Sequence, residues 1–242
     1  MQLATTRPEK NVQEVREYDL FLDIDFAGLR YTGKVRVDLA TVGDASFDAV
    51  GLQINAVKSG TSKTPFKHNG KVLEVQTGKF SGPLEIEFSG KVSDNFTGFY
   101  KASYGDGYIL TTHLEAVQAR KVFPCVDHPA FKAVFHVTVR TDDNLSVISN
   151  MPIKSETKEA GKKTVSFEKT PKMSTYLLYL GIGKFAQSKG KHGPTDLYSA
   201  YADRPSVKIN TEFSFDASRK VLDFYESYFG IPFQLPKLHN VA

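Results

Sequence analysis

Five residues within one stretch, Thr111 to Phe135 (TTHLEAVQARKVFPCVDHPAFKAVF), have side chains that can carry chemistry: His113, Glu115, Cys125, Asp127 and His128. Cys125, Asp127 and His128 stand in a CVDH run whose spacing offers half of a metal site, yet the sequence supplies no second half. The six histidines, at 68, 113, 128, 136, 192 and 239, form no HExxH, the pattern that sets two imidazoles one helical turn apart beside a general base. Cys125 reads as a small packed side chain, and as the single cysteine it can make no internal disulfide. Glu115 is flanked by apolar and small residues. It either ends a strand, pairs with Arg120, or offers a partly desolvated carboxylate to a cation, a contact that contributes roughly 1.5–3 kcal/mol. His113 precedes it by two, and positions two apart on a strand share a face. Asp127 and Arg120 read as organisers of the loop.

Pro124 and Pro129 bracket that loop, because proline fixes its own φ and donates no amide hydrogen. Loops of this length are costly to order and commonly serve a site or a junction. Upstream, Tyr18, Leu20, Leu22, Ile24 and Phe26 alternate with Asp19, Asp23 and Asp25, the period of a half-buried strand. Tyr31, Val35, Val37 and Leu39 repeat the pattern after Gly28, so the pair is expected to form a hairpin. Further strands are expected near residues 50–57, 72–77, 84–92 and 108–112, separated by Gly, Ser, Asn and Pro clusters. Downstream, Ala133, Phe135, Val137 and Val139 alternate against Lys132, His136, Thr138 and Arg140, which places His136 on a polar face. Residues 145–149 and 164–167 are expected to continue the sheet, and 176–182, apolar on both parities, to be covered on both sides. The GKHGP turn leaves His192 solvated. From about 212 the period changes: Ala217, Val221, Phe224 and Tyr228, widened by Leu222, Tyr225 and Phe229, mark a helix that Gly230 and Pro232 stop. The fold class expected is mainly β: a large antiparallel sheet, then a short strand-helix-strand piece.

Composition excludes several roles. The net charge of +4 over 242 residues, with no dense Lys/Arg run, argues against nucleic acid. No segment reaches the roughly 18 uninterrupted apolar residues of a membrane span. MQLATTRPEK lacks an apolar targeting core, which with the lone cysteine fits a cytoplasmic protein. A carbohydrate-binding sandwich is disfavoured by the absence of tryptophan.

The central run resembles TxxExxxARxxFPCxDxPxxKAxF, a segment of the N-terminal domain of M1-family (gluzincin) zinc aminopeptidases, with about a dozen positions in agreement and no gap. With His at 113 and 128 it looks most like the archaeal tricorn-associated members. VLDFYESYFGIPFQLPKL (221–238) is similar to the family's helix and turn leading into the catalytic domain, and MSTYLLYLGIGKF (173–185) to the strand joining the two regions. The resemblance implies a saddle-like N-terminal β-domain over residues 1–197 and the truncated beginning of a thermolysin-like catalytic domain over 198–242. It implies that Glu115 binds the free α-ammonium of a peptide substrate and that His113 lines part of the pocket for the first side chain. It also implies zinc in the intact enzyme. This chain, with neither HExxH nor GAMEN, is expected to hold no metal or catalytic residue of its own, to be inactive alone, and to need the missing catalytic domain of the same chain as its partner. His128 stands where the family commonly has Glu. The competing reading is a non-catalytic β-rich scaffold module. The wide apolar face of the 215–229 helix is expected to promote self-association.

Overall fold

The computed structural model describes residues 13–105, 107–203 and 210–242; the MQLATTRPEK run read above lies outside the described residues. β1 (Gln13–Asp25) and β2 (Arg30–Thr41) form the expected antiparallel hairpin. Its alternation drives Tyr18, Leu20, Leu22 and Ile24 into one core with Val35, Val37 and Leu39. The chain continues through β3 (Ala45–Asp48), β4 (Gln53–Ser59), β5 (Ser62–Lys63), β6 (Phe66–His68), β7 (Val72–Val75) and β8 (Phe80–Lys91). Then come β9 (Gly98–Tyr104), β10 (Gly107–His113), β11 (Val134–Asp142), β12 (Ser146–Ser149), β13 (Ile153–Glu159) and β14 (Lys162–Phe167). β15 (Leu180–Gly183), β16 (Phe185–His192), β17 (Thr195–Ala202), α1 (Thr211–Phe229) and β18 (Lys237–Val241) complete it.

The large sheet has eight strands in the order β13-β14-β11-β1-β2-β8-β4-β5. It is mixed: β1 pairs with β11 in parallel, Tyr18 opposite Phe135 and Asp23 opposite Arg140, while its other pairings are antiparallel. A second sheet, β12-β15-β10-β9, carries the start of the central loop. Residues 145–149, expected to extend the large sheet, go instead to this second sheet, where β12 pairs with β15. The expected strand over 176–182 divides into a 3₁₀ turn at Thr175–Leu177 and then β15. β15 lies between β12 and β10, and all four of its residues are buried, on both parities. The short β3, β5, β6 and β9 escape the period-two reading because two to four residues, or a polar mixture such as GFYKASY, leave no alternation to detect.

β16, β17 and β18 form a separate three-stranded sheet, covered by α1 around its own small core of Leu197, Phe215 and Leu222 with Phe233 and Leu238. This unit starts at Phe185, and residue 197 falls inside β17. Asn210 caps α1 by accepting the Glu212 N–H, and Gly230, at φ 66°, closes it in the left-handed conformation that glycine adopts without a Cβ clash. Phe215, Ser218 and Leu222 face the sheet; Val221, Phe224, Tyr225, Tyr228 and Phe229 are exposed. His192, expected in a solvated turn, is corrected. It ends β16 with its side chain only 13% exposed, 3.3 Å from the Glu226 carboxylate and 3.8 Å from that of Asp223. The helix lying over the hairpin, not the turn, sets its environment. Glu226 is held below the usual carboxylate range first by the Phe233 N–H and then by His192.

β18 buries a cation. Lys237 is 8% exposed, with its ammonium 5.9 Å from the centre of the Phe167 ring at the end of β14, so the small unit leans on the large sheet through it. No carboxylate pairs with it among the described residues, and burial lowers its pKa to about 8. Two residues on, His239 stacks on Tyr198 at 4.4 Å, and its Nδ1 is buried without a hydrogen-bond partner among the described residues. Burial, then the Lys237 charge, brings the His239 pKa down to about 4. Lys237→Met is expected to raise stability near neutral pH by about 1–2 kcal/mol, because an uncompensated buried charge is removed. The unfolded chain holds the Lys237 proton up to its ordinary 10.5 while the folded chain releases it near 8, so wild-type stability rises across that window. The methionine advantage is therefore full below pH 8 and fades towards 10.5, which denaturant titrations at neutral and alkaline pH measure.

Candidate functional site

The central loop is ordered from three sides. From below, the Tyr18 hydroxyl accepts the Val126 N–H at 2.9 Å, and the Tyr31 hydroxyl donates to the Val122 carbonyl at 3.0 Å. Burial pushes the Tyr31 phenol well above its usual range, so it stays a donor. From the side, Asp48 and Cys125 exchange backbone hydrogen bonds of 2.7 and 3.1 Å. From within, the Asp127 carboxylate, 0% exposed, accepts from Arg120 Nε at 2.9 Å, from the Arg120 N–H at 3.2 Å and from the Thr175 hydroxyl at 2.7 Å. Arg120 also reaches Asp48 at 3.5 Å. Cys125 is fully buried in the core.

This network decides one alternative the sequence left open. Arg120 is held by Asp127 and Asp48, and Glu115 contacts His113 instead. β10 ends at His113, Leu114 turns into the core at 2% exposure, and Glu115 emerges beyond it. Both side chains are open to solvent, His113 at 52% and Glu115 at 57%, with Nε2 3.0 Å from Oε2. The His113 Nδ1 lies 3.1 Å from the Phe96 carbonyl, which fixes the ring from behind. Glu115 Oε1 makes no hydrogen bond or ion pair among the described residues. The pair is thus a solvent-facing carboxylate on a rigid support, suited chemically to receiving a cation. The Glu115–Ala116 peptide is cis.

The other histidines stand apart. His128 Nδ1 accepts the Ala130 N–H at 3.2 Å, and its ring meets Phe131 edge-on. His136, on the polar face of β11, bridges Ser166 at 3.0 Å and Asp19 at 3.2 Å. Among the described residues no three His, Cys, Asp or Glu side chains gather as metal ligands. A cavity of about 1060 Å³ opens at one end of the large sheet, and neither His113 nor Glu115 lines it. The buried Lys237 and the docked His192 escaped sequence reading, since no local pattern marks which polar residue a helix or second sheet will cover.

Residues 14–177 match the Peptidase M1 N-terminal domain, and the chain belongs to that family. It is 48% identical over 229 residues to "Probable aminopeptidase 2" of Sulfurisphaera tokodaii, covering 94% of this chain and 29% of that protein. It is 45% identical to "Leucyl aminopeptidase" of Saccharolobus solfataricus, with 95% and 29% covered, and 39% identical to "Tricorn protease-interacting factor F2" of Thermoplasma acidophilum, with 94% and 29% covered. The chain spans under a third of the length of these curated relatives. No helix among the described residues is long and apolar enough to cross a membrane.

Proposed function

We propose that this chain is the amino-terminal part of a cytoplasmic zinc aminopeptidase that removes residues from the free N-termini of peptides. Glu115 anchors the substrate α-ammonium, and His113 lines part of the pocket for the first side chain. Residues 1–197 act as the β-domain and 198–242 as the start of the catalytic domain, whose remainder carries the zinc and meets the exposed aromatic face of α1. The observation supporting this reading best is the Glu115 carboxylate itself, open to solvent, released from Arg120, and presented on a loop that Asp127 and two buried tyrosines hold rigid. An exopeptidase must recognise a chain end, and a fixed carboxylate recognises an ammonium and sets its distance from the reacting bond.

The test uses a polypeptide that joins this chain to the sequence encoded downstream. There Glu115→Gln is expected to raise KM for aminoacyl-arylamides roughly ten- to hundredfold, the equivalent of the 1.5–3 kcal/mol of a charge-assisted contact, with kcat changed far less. Unchanged kinetics would remove the anchoring role. The 242-residue chain alone is expected to hydrolyse none of these substrates, and stoichiometric zinc with turnover would overturn that. An HExxH encoded downstream selects this reading over the scaffold module, which needs none.

A further inference from the structure

The cavity of about 1060 Å³ lies at the end of the large sheet where the β1–β2 hairpin closes, lined by polar-face residues of its strands and by neighbouring loop residues. Five cationic side chains line it, Arg30, Lys91, Lys121, Arg140 and Lys162, against two carboxylates, Asp23 and Asp25. Their arrangement follows from strand register. Arg30 sits opposite Lys91 across β2 and β8 and opposite Asp25 across β2 and β1. Arg140 sits opposite Asp23 across β11 and β1, and Lys162 opposite Asp142 across β14 and β11. Cations therefore stand on four of five neighbouring strands, β14, β11, β2 and β8, in a line of about 19 Å at the usual spacing between strands. Arg30, Arg140 and Lys162 are each matched by one aspartate of the sheet. Lys91 and Lys121 have no carboxylate partner among the described residues; the Lys121 ammonium donates to the Thr97 hydroxyl at 3.4 Å. Ile24, Tyr31 and Leu52 also line the cavity, whose walls expose somewhat more apolar than polar surface, with the charged tips set around it.

We propose that this cleft is a docking site for an acidic segment of polypeptide, about six extended residues rich in Asp and Glu, the length that spans the line of cations. Three points support that occupant. The charges are spread along a line, as a chain of carboxylates would meet them, and are not gathered at a point as a single phosphate requires. Exposed ion pairs are weak and exchange partners readily, so incoming carboxylates compete on even terms with Asp23, Asp25 and Asp142. Lys91 and Lys121 supply the excess positive charge that makes the exchange favourable and steers the encounter. Neither His113 nor Glu115 lines the cleft, and the proposal does not depend on the peptidase reading.

Fluorescence anisotropy of a labelled oligo-glutamate peptide with the 242-residue chain tests it. Saturable binding that weakens steeply with added salt is expected, with oligo-glutamine failing to bind. Lys91→Glu combined with Lys121→Glu is expected to weaken binding by at least about tenfold, since both change attraction into repulsion. Lys169→Glu, at the far end of the same face beside Glu17, is expected to leave it within about twofold. Unaltered melting temperatures show that the variants fold. Absence of saturable binding, or equal affinity of the double variant and the parent, overturns the proposal. Tighter binding of inorganic tripolyphosphate, or of an oligonucleotide of the same charge, also overturns it, because the cleft would then select phosphate.

Discussion

Asp127→Ala is expected to lower the stability of the β-domain by about 3–5 kcal/mol, the usual consequence of deleting one member of a buried ion pair. The carboxylate is fully buried and takes three hydrogen bonds, two from Arg120 and one from the Thr175 hydroxyl. Its removal leaves a guanidinium that is only 26% exposed with Asp48, at 3.5 Å, as its one remaining carboxylate among the described residues. It also leaves the Thr175 hydroxyl without that acceptor. Urea titration measures the loss, and hydrogen exchange locates it: residues 118–128 should lose protection first, while β16 to β18 keep theirs around their separate core. A loss below about 1 kcal/mol would mean that the buried tyrosines and the Asp48–Cys125 pairing hold the loop without it. Asp127→Asn separates charge from shape. It keeps an acceptor for Thr175 but gives Arg120 a neutral partner, so an intermediate loss is expected.

Phe135→Ala attacks the same loop from its apolar side, with an expected cost of about 3–5 kcal/mol. Phe135 is fully buried, stacked on Tyr18 at 5.1 Å and edge-on to Phe123 at 6.4 Å. Tyr18 also holds the loop through its hydroxyl, so the cavity should loosen both the parallel β1–β11 pairing and the Val126 contact. Phe135→Leu, which keeps most of the volume, should cost about 1–2 kcal/mol by the same reasoning. Because Asp127 and Phe135 support one loop, the double alanine variant should fall short of the sum of the single losses. Additive losses would show two independent anchors.

Reading these elements from sequence succeeded where one periodicity governs a long run. β1, β2 and β11 each exceed eight residues, bury every second side chain, and were legible for that reason. The parallel pairing of β1 with β11 was not, because register between strands over a hundred residues apart leaves no mark in either. Helix α1 was legible in extent but not in orientation. It is apolar on two faces, and only the three-stranded sheet decides that Phe215 and Leu222 turn inward while Phe224 and Tyr228 do not. At the candidate site, the positions of His113 and Glu115 were readable, and their contact at 3.0 Å was not. Glu115 lies beyond the strand end, where the two-residue rule no longer applies. That Arg120 would belong to Asp127 required the fold of the loop.

The parallel neighbour of β1 also bears on how the polypeptide leaves the ribosome. One side of β1 is satisfied by β2, complete once Thr41 is made, but the other waits for β11, about a hundred positions later. At ordinary synthesis speeds the delay is about 5–20 s. Throughout it the nascent hairpin shows an open row of amides and carbonyls. Glu17, Asp19 and Asp23, carried on the outward face of that strand, give two such newborn chains like charges to set against each other. The acidic alternation is thereby expected to disfavour pairing between unfinished hairpins.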